Sequence, residues 1–190
     1  MSEFDFDALV VGAGAVGLAC GYALAQRGLS VVVLEQDAAI GQGVSSRNSE
    51  VIHGGLYYKT GSLKARLCVQ GRRRLYAFLE AHNVAFDRCG KLVVATNADE
   101  VERVEAVLEQ ARTNEVEEMA PLTRAQALEL EPQLHCEMAL LSPHSGVFDS
   151  HGYMLAMQGE IEAAGGAVVL STPFEGATPL PGGGFSVRAG

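Results

Sequence analysis

The sequence predicts an α/β fold built on a parallel sheet, and three observations near its start point to it. An apolar run, Ala8 to Val11, breaks into the glycine-rich turn Gly12-Ala13-Gly14-Ala15-Val16-Gly17. A stretch of helix-forming composition, Leu18 to Gln26, comes next and ends at Gly28. The β-branched run Val31 to Leu34 then closes at Glu35. These pieces complete a strand, helix, strand unit of about 28 residues, the size a parallel pair needs because its crossover must bring the chain back to the same end of the sheet.

The later elements are less regular. Gly41 to Gly61 is rich in Gly, Ser and Asn and reads as a long loop of the kind that carries function. Ser62 is placed to cap a helix running to about His82, with Leu63, Leu67, Leu75, Phe78 and Leu79 on one face and Gly71 as an interruption. Phe86 to Ala95 reads as a hairpin turning near Cys89-Gly90, then an acidic helix runs from Ala98 with Val101, Val104, Leu108 and Ala111 at helical spacing. Thr123 caps a short helix that Pro132 must end. Strand-like pieces flank Ser142-Pro143, and Tyr153 to Ala164 is a helix closed by Gly165-Gly166. Val168 to Leu170 and Phe185 to Val187 read as antiparallel strands on either side of a turn-rich Pro179 to Gly184.

Composition bounds the function. With 190 residues, 48% of them apolar and 19% charged, the chain can bury a core of one or two domains and is not disordered. The net charge of −9 argues against a nucleic-acid partner, although Lys59 to Arg74 holds six basic residues and no acid. Arg72-Arg73-Arg74 reads as a solvated helix face. No apolar stretch approaches the ~18 residues of a membrane-spanning helix. The opening Met-Ser-Glu-Phe-Asp-Phe-Asp carries three acids and no base, unlike a secretory signal, and places the chain in the cytoplasm, free or peripheral at the inner face of the membrane. Cys20, Cys68, Cys89 and Cys136 form no Cys-x-x-Cys pair and read as reduced thiols. His82, His135, His144 and His151 show no metal-ligand spacing, so no metal site is expected.

Gly12-x-Gly14-x-x-Gly17 between strand and helix, with an acid ending the next strand, is the fingerprint of a Rossmann-like dinucleotide site. Gly12 permits the tight turn, Gly14 lets a pyrophosphate approach the backbone, and Gly17 lets helix and strand pack closely. The helix start, at Ala15 and Val16, presents free N–H groups and partial positive charge to the phosphates. Glu35, 18 residues after Gly17, is placed to accept hydrogen bonds from an adenosine ribose, with Gln36 beside it. The same fingerprint serves NAD and FAD. The residues after Glu35 decide between them: a long polar loop and a helix stand where an NAD domain would continue with βα units.

That loop, Ser45-Ser46-Arg47-Asn48-Ser49-Glu50-Val51-Ile52-His53-Gly54-Gly55-Leu56-Tyr57-Tyr58, resembles the flavin loop of the D-amino-acid oxidase superfamily. With Gly61-Ser62-Leu63-Lys64-Ala65, Leu67-Cys68-Val69-Gln70-Gly71, Cys89-Gly90-Lys91-Leu92, Glu131-Pro132 and Pro143 to Asp149, the chain resembles the L-2-hydroxyglutarate dehydrogenase/oxidase family over nearly its whole length. Flavin-linked glycerol-3-phosphate dehydrogenases share an Ile-His-Gly-Gly-Leu segment but usually place Arg where Tyr57 stands, which argues against a phosphate substrate.

The resemblance implies FAD as cofactor and a small 2-hydroxy acid, L-2-hydroxyglutarate, as substrate, with oxygen, a quinone or a carrier protein as the open choice of electron acceptor. It implies an incomplete FAD-binding domain over 1–82 and 138–190 and part of an α+β substrate domain over 83–137, since members of the family are considerably longer. His53 is expected to handle the substrate proton, and Tyr57 or Tyr58, with Lys59 nearby, to anchor a carboxylate. Ser45, Ser46, Arg47, Asn48, Gly54 and Gly55 are expected to hold the flavin or pyrophosphate, and Phe174 to meet the adenine through its backbone. Two rivals stand beside this reading: an FAD-dependent amine or amino-acid oxidase, and a non-catalytic FAD-binding fragment.

Overall fold

A computed structural model describes residues 4–190; Met1 to Glu3, the start of the acidic opening, lie outside the described residues. In chain order the elements are β1 (Ala8–Val11), α1 (Ala15–Ala25), β2 (Val31–Leu34), a 3-10 turn (Val44–Arg47), β3 (Val51–Ile52), α2 (Leu63–Ala81), β4 (Phe86–Asp87), β5 (Lys91–Ala95), α3 (Ala98–Thr113), β6 (Ala120–Thr123) and α4 (Arg124–Leu130). β7 (Met138–Ser142), β8 (Gly146–Phe148), α5 (Ser150–Ala163), β9 (Ala167–Val169), β10 (Phe174–Pro179) and β11 (Phe185–Ala189) complete the chain. These fall into two compact units: one runs to Ser49 and resumes over Ser150–Gly190, and the other is Glu50–Asp149.

In the first unit the predicted crossover forms as read. β1 and β2 run parallel in the register Ala8↔Val31 to Val11↔Leu34. β2, the middle strand, is Val-Val-Val-Leu with all four residues buried, as a strand covered on both edges requires. Gly28 adopts φ +79° and returns its N–H to the Ala25 carbonyl at 2.8 Å, which ends α1. α1 lies close to α5 at Gly21, where a Cβ would stand 3.0 Å from the side chains of both Ile161 and Val33.

One strand pairing of this unit differs from expectation. β9 does not pair with Phe185–Val187; it joins β2 in parallel, Val32↔Ala167 to Leu34↔Val169, because α5 is a second crossover that returns the chain to the same end of the sheet. The partner of β11 is β10, paired antiparallel with a register shift between Phe174 and Gly176. The segment Phe-Glu-Gly-Ala-Thr-Pro has little strand composition, so its pairing is set by the turn after it rather than by its own residues.

The second unit is antiparallel, with sheets ordered β3-β8-β4 and β5-β7-β6. Its core is divided among Leu56, Val69, Ala111 and Val116; Ala95, Val104 and Leu140; and Ala127, Cys136 and Ala139. Thr123 and Gln126 form the capping box that starts α4. The expected Phe86–Ala95 hairpin is absent: β4 pairs with β8 and β5 with β7, so the Cys89-Gly90 turn moves the chain between two sheets.

α2 starts at Ser62, whose hydroxyl accepts from Ala65 N at 3.2 Å, and runs unbroken through Gly71. Its buried stripe is Ala65, Val69, Arg72, Tyr76 and Leu79, while Leu63 and Leu67 are exposed. Arg72 is therefore no solvated charge; it is 5% exposed and paired with Glu117, which also binds Arg73. That pairing lets a cation occupy the inner stripe and shifts the helix face from the one the leucines mark.

Packing also places the domain boundaries at 49/50 and 149/150 rather than 82/83 and 137/138. Leu56 and Val69 bury against Ala111 and Val116, and β7 pairs with β5 and β6, so residues 50–82 and 138–149 group with the segment between them. Among the described residues no helix is long and apolar enough to cross a membrane.

Candidate functional site

The glycine turn has the form its spacing implies. Gly12 takes φ +95° and donates to the Leu34 carbonyl at 2.7 Å, joining the end of β1 to the end of β2. At Gly17 a Cβ would overlap the Gly12 carbonyl oxygen, so only glycine lets α1 begin this close to β1. A Cβ on Gly14 would stand 3.0 Å from Ser45 Oγ. That hydroxyl accepts from Ala15 N at 3.0 Å, and the first turn of α1 carries no acid. The helix start, where Val16 is 79% exposed, therefore keeps its partial positive charge for an anion.

Glu35 ties this turn to the end of β2. It is 8% exposed, and its two carboxylate oxygens accept from the chain: Oε2 from Ala13 N at 2.7 Å, Oε1 from Asp37 N at 3.0 Å. Each oxygen keeps a lone pair, and both are fixed in direction. A cavity of about 360 Å³ opens beside them, lined by Gly12, Gly14, Glu35, Gln36, Ser45 and Phe174 among the expected residues. Backbone donors at a helix start next to an oriented buried carboxylate fit a pyrophosphate joined to a ribose, which needs donors for one part and an acceptor for the other.

Ala15, Val16 and Gly17 of the helix start, Ser46, Arg47 and Asn48 of the loop, and Gly54 and Gly55 do not line this cavity. Ser46 Oγ donates to the Gly43 carbonyl at 2.8 Å, Asn48 Nδ2 donates to the Ser45 carbonyl at 2.6 Å and to Ser150 Oγ at 3.0 Å, and Arg47 is exposed. Ser46 and Asn48 brace the loop that presents Ser45. The sequence reading missed Asp37, Gly41, Gln42 and Gly43 as cavity residues. Gly41, at φ +71° and donating to the Ala13 carbonyl at 3.0 Å, was the available signal, a further glycine where the chain turns back toward the first.

His53, Gly54, Gly55, Tyr57 and Tyr58 belong to the second unit. Gly54 and Gly55 are buried: a Cβ on the first would press on Ser142 Oγ and Ser145 Oγ, and one on the second, at φ +96°, on Val69. Gly54 packs closely against the Ser142–Ser145 pair, whose hydroxyls are 3.0 Å apart, and Gly55 against Val69 and Val116. His53 comes directly after β3 and reaches the surface, and its carbonyl accepts from Cys68 Sγ at 3.4 Å. Partial withdrawal of the ring from water, and then the positive charges of Lys91 and Lys64, hold its pKa below the usual 6.5. A neutral imidazole can accept a proton.

The Tyr58 carbonyl accepts from Gln110 Nε2 at 2.7 Å and Asn114 Nδ2 at 2.8 Å, which fixes this loop to α3. Burial raises the Tyr58 hydroxyl above its usual pKa, with the nearby Cys68 adding to it. A separate groove of about 480 Å³ lies between the β4–β5 turn and Glu131. It holds none of the expected site residues, and its Arg88 is engaged with Glu80 and the Tyr76 ring.

The fold and this turn define a flavin-type dinucleotide-binding protein, and residues 7–190 match the model of the FAD dependent oxidoreductase family. The chain belongs to that family. It is similar to the mitochondrial L-2-hydroxyglutarate dehydrogenases of Arabidopsis thaliana, at 42% identity over 80% of this chain and 31% of the relative, and of Homo sapiens, at 36% over 92% and 38%. It thus spans less than half the length of these curated relatives. Among solved structures it is similar in fold to the FAD-bound L-alpha-glycerophosphate oxidase of Mycoplasma pneumoniae, with a TM-score of 0.89, 23% identity, and 97% of this chain on 49% of that one. Glycine oxidase from Geobacillus kaustophilus is similar too, with a TM-score of 0.84, 23% identity, and 97% on 51%. The cytoplasmic expectation is overturned by the relatives, which are named mitochondrial; the acids in an opening segment do not assign a compartment.

Proposed function

We propose that the protein oxidises the C–H(OH) carbon of a small 2-hydroxy acid, L-2-hydroxyglutarate, to the 2-oxo acid with FAD as cofactor. The observation that carries this reading is the Glu35 to Ala13 hydrogen bond, which sets a buried acceptor beside the open start of α1; the 36–42% identity to L-2-hydroxyglutarate dehydrogenases supports the substrate. In this reading the N–H groups of Gly14, Val16 and Gly17 receive the pyrophosphate, Glu35 accepts from the ribose hydroxyls, and Gln36 and Phe174 meet the adenosine end. Ser45 holds the helix start in place, braced by Ser46 and Asn48, and Arg47 offers its charge to the flavin or pyrophosphate.

Bound FAD supplies the acceptor for the hydride. His53, neutral because of its surroundings, takes the hydroxyl proton at an imidazole nitrogen as the carbonyl forms, and Tyr57 and Tyr58 anchor the substrate. The test is to release the ligand from purified protein and identify it by mass, then to mix the protein anaerobically with L-2-hydroxyglutarate and follow flavin absorbance. FAD and bleaching are expected. Recovery of a nicotinamide nucleotide alone, or a flavin that no 2-hydroxy acid bleaches, overturns the reading.

A further inference from the structure

The cationic segment from Lys59 to Arg74 has no part in holding the cofactor or moving the proton, and folding sorts its six charges into two sets. Arg72 and Arg73 are taken by Glu117. Lys59, Lys64, Arg66 and Arg74 are exposed, and among the described residues none of them has an acid partner. Lys64 Nζ lies 4.5 Å from the centroid of the Tyr58 ring, which orients the charge without neutralising it. Helical spacing puts Leu63, Leu67, Gln70 and Arg74 on the side of α2 opposite its buried stripe, with Lys64 and Arg66 flanking them. Leu63 is 65% exposed and Leu67 54%, so this outer face starts with two uncovered leucines one turn apart among cations. The first turn of α2 carries no acid, and its one acid, Glu80, sits at the far end and binds Arg88.

We propose that the outer face of α2 docks an acidic protein, the one-electron carrier that takes the electrons of the reduced flavin. Carboxylates on the partner complement Lys64, Arg66 and Arg74, and Leu63 with Leu67 supplies the apolar centre that such a charged rim surrounds. The acids of α3 limit the partner's size. α3 shares the cluster of Leu56, Val69, Ala111 and Val116 with α2, and its Glu102, Glu105 and Glu109 are exposed in a chain of net charge −9. An extended polyanion, such as nucleic acid or an anionic bilayer, would meet those acids as well as the cations, whereas a compact acidic patch touches the cationic strip alone. The strip also adjoins the loop assigned to the substrate: Cys68 of α2 donates through Sγ to the His53 carbonyl at 3.4 Å. Two carriers docking in turn accept one electron each, and the two protons of the reduced flavin pass to water. The proposal rests on the flavin reading for its electrons, but not for the surface.

Plastocyanin, an acidic blue-copper protein, and cytochrome c, a basic haem protein, are one-electron probes of opposite charge. The FAD-loaded protein, reduced with stoichiometric dithionite so that no 2-hydroxy acid is needed, is mixed anaerobically with each. Added salt should slow flavin reoxidation by plastocyanin and should not slow that by cytochrome c. Arg66→Gln combined with Arg74→Gln should slow plastocyanin by at least about threefold, Leu67→Ser should slow it too, and Arg188→Gln, at an exposed cation of the other unit, should change nothing. Plastocyanin held on a sensor surface should capture the protein and release it in the double variant, a readout that needs no electron transfer. No capture, capture indifferent to the double variant in folded protein, or capture by phosphatidylglycerol vesicles in place of plastocyanin overturns the proposal, and docking without reoxidation overturns the carrier's role. Capture that depends on Arg66 and Arg74, with reoxidation of a flavin that L-2-hydroxyglutarate does not reduce, upholds the docking surface and refutes the 2-hydroxy acid reading.

Discussion

Oε2 of Glu35 accepts a 2.7 Å hydrogen bond from the backbone N–H of Ala13, a residue with no exposed surface. The bond joins the glycine-rich turn to the end of β2, so the carboxylate that would meet a ribose also holds the phosphate turn in shape. Structural and ligand roles therefore reside in one side chain.

Glu35→Ala leaves the Ala13 donor buried without a partner and removes an acceptor from the cavity. Stability should fall by about 1–3 kcal/mol, and FAD retention should weaken by a similar amount, because a buried donor is stranded and a charge-assisted bond is lost. Thermal unfolding with and without added FAD measures both. Unchanged retention would remove Glu35 from the ligand site.

Two glycine substitutions should act in opposite directions. Gly17→Ala drives a Cβ into the Gly12 carbonyl oxygen and should cost about 1–3 kcal/mol or more, with loss of flavin, since backbone rather than a flexible side chain must yield. Gly71→Ala meets open space in the middle of α2 and should stabilise the protein by about 0.5–1 kcal/mol through helix propensity. Chemical denaturation of both variants checks the signs.

The difference between these glycines shows what was legible in the sequence. The Gly12 to Gly17 turn, the Glu35 position, the Ser62 cap and the Thr123 cap were readable because each is a local rule, satisfied within a few residues or one crossover. The β4 and β5 partners were not, because strand pairing is decided by segments some 50 residues away in β7 and β8. The α2 stripe was misread for the same reason: a buried Arg72 is acceptable only because Glu117 arrives from beyond α3. In the candidate site, glycine and acid spacing located the cavity, while the bond that holds Ser45 against the start of α1 exists only once the chain has folded.

The Glu117 cluster predicts a pH dependence. Burial alone would raise the Glu117 pKa, but a backbone hydrogen bond of its own and the guanidinium groups of Arg73 and Arg72 outweigh it and hold the carboxyl below the ordinary 4.5. A carboxylate depressed in the folded state contributes stability that is complete above pH 4.5 and is lost as pH falls through the lower folded value. Glu117→Gln should remove that acid-side loss and lower stability near neutrality by about 1–3 kcal/mol, less than for a fully buried pair because Glu117 is partly solvated. Urea unfolding at pH 3 to 7 would show it, and identical pH profiles for both proteins would refute it.

His53→Asn separates a chemical role from a scaffolding one. Asn can still hydrogen-bond in the loop and leaves the buried Gly54 and Gly55 undisturbed, so the variant should fold and retain FAD. Loss of the proton acceptor should slow flavin reduction by about 10² to 10⁴. In the unaltered protein the depressed imidazole pKa keeps the base neutral below pH 6.5, so reduction should hold its rate as pH falls past that value and decline only further down. Lys91→Gln removes one of the charges that depress the pKa and should move this decline toward pH 6.5. Anaerobic rapid mixing with L-2-hydroxyglutarate well below saturation across pH 5 to 8, which reads the second-order rate and so the ionisation of the free protein, measures both effects. An FAD-replete variant that reduces at the unaltered rate, or a decline that Lys91→Gln does not move, would assign the proton to another group.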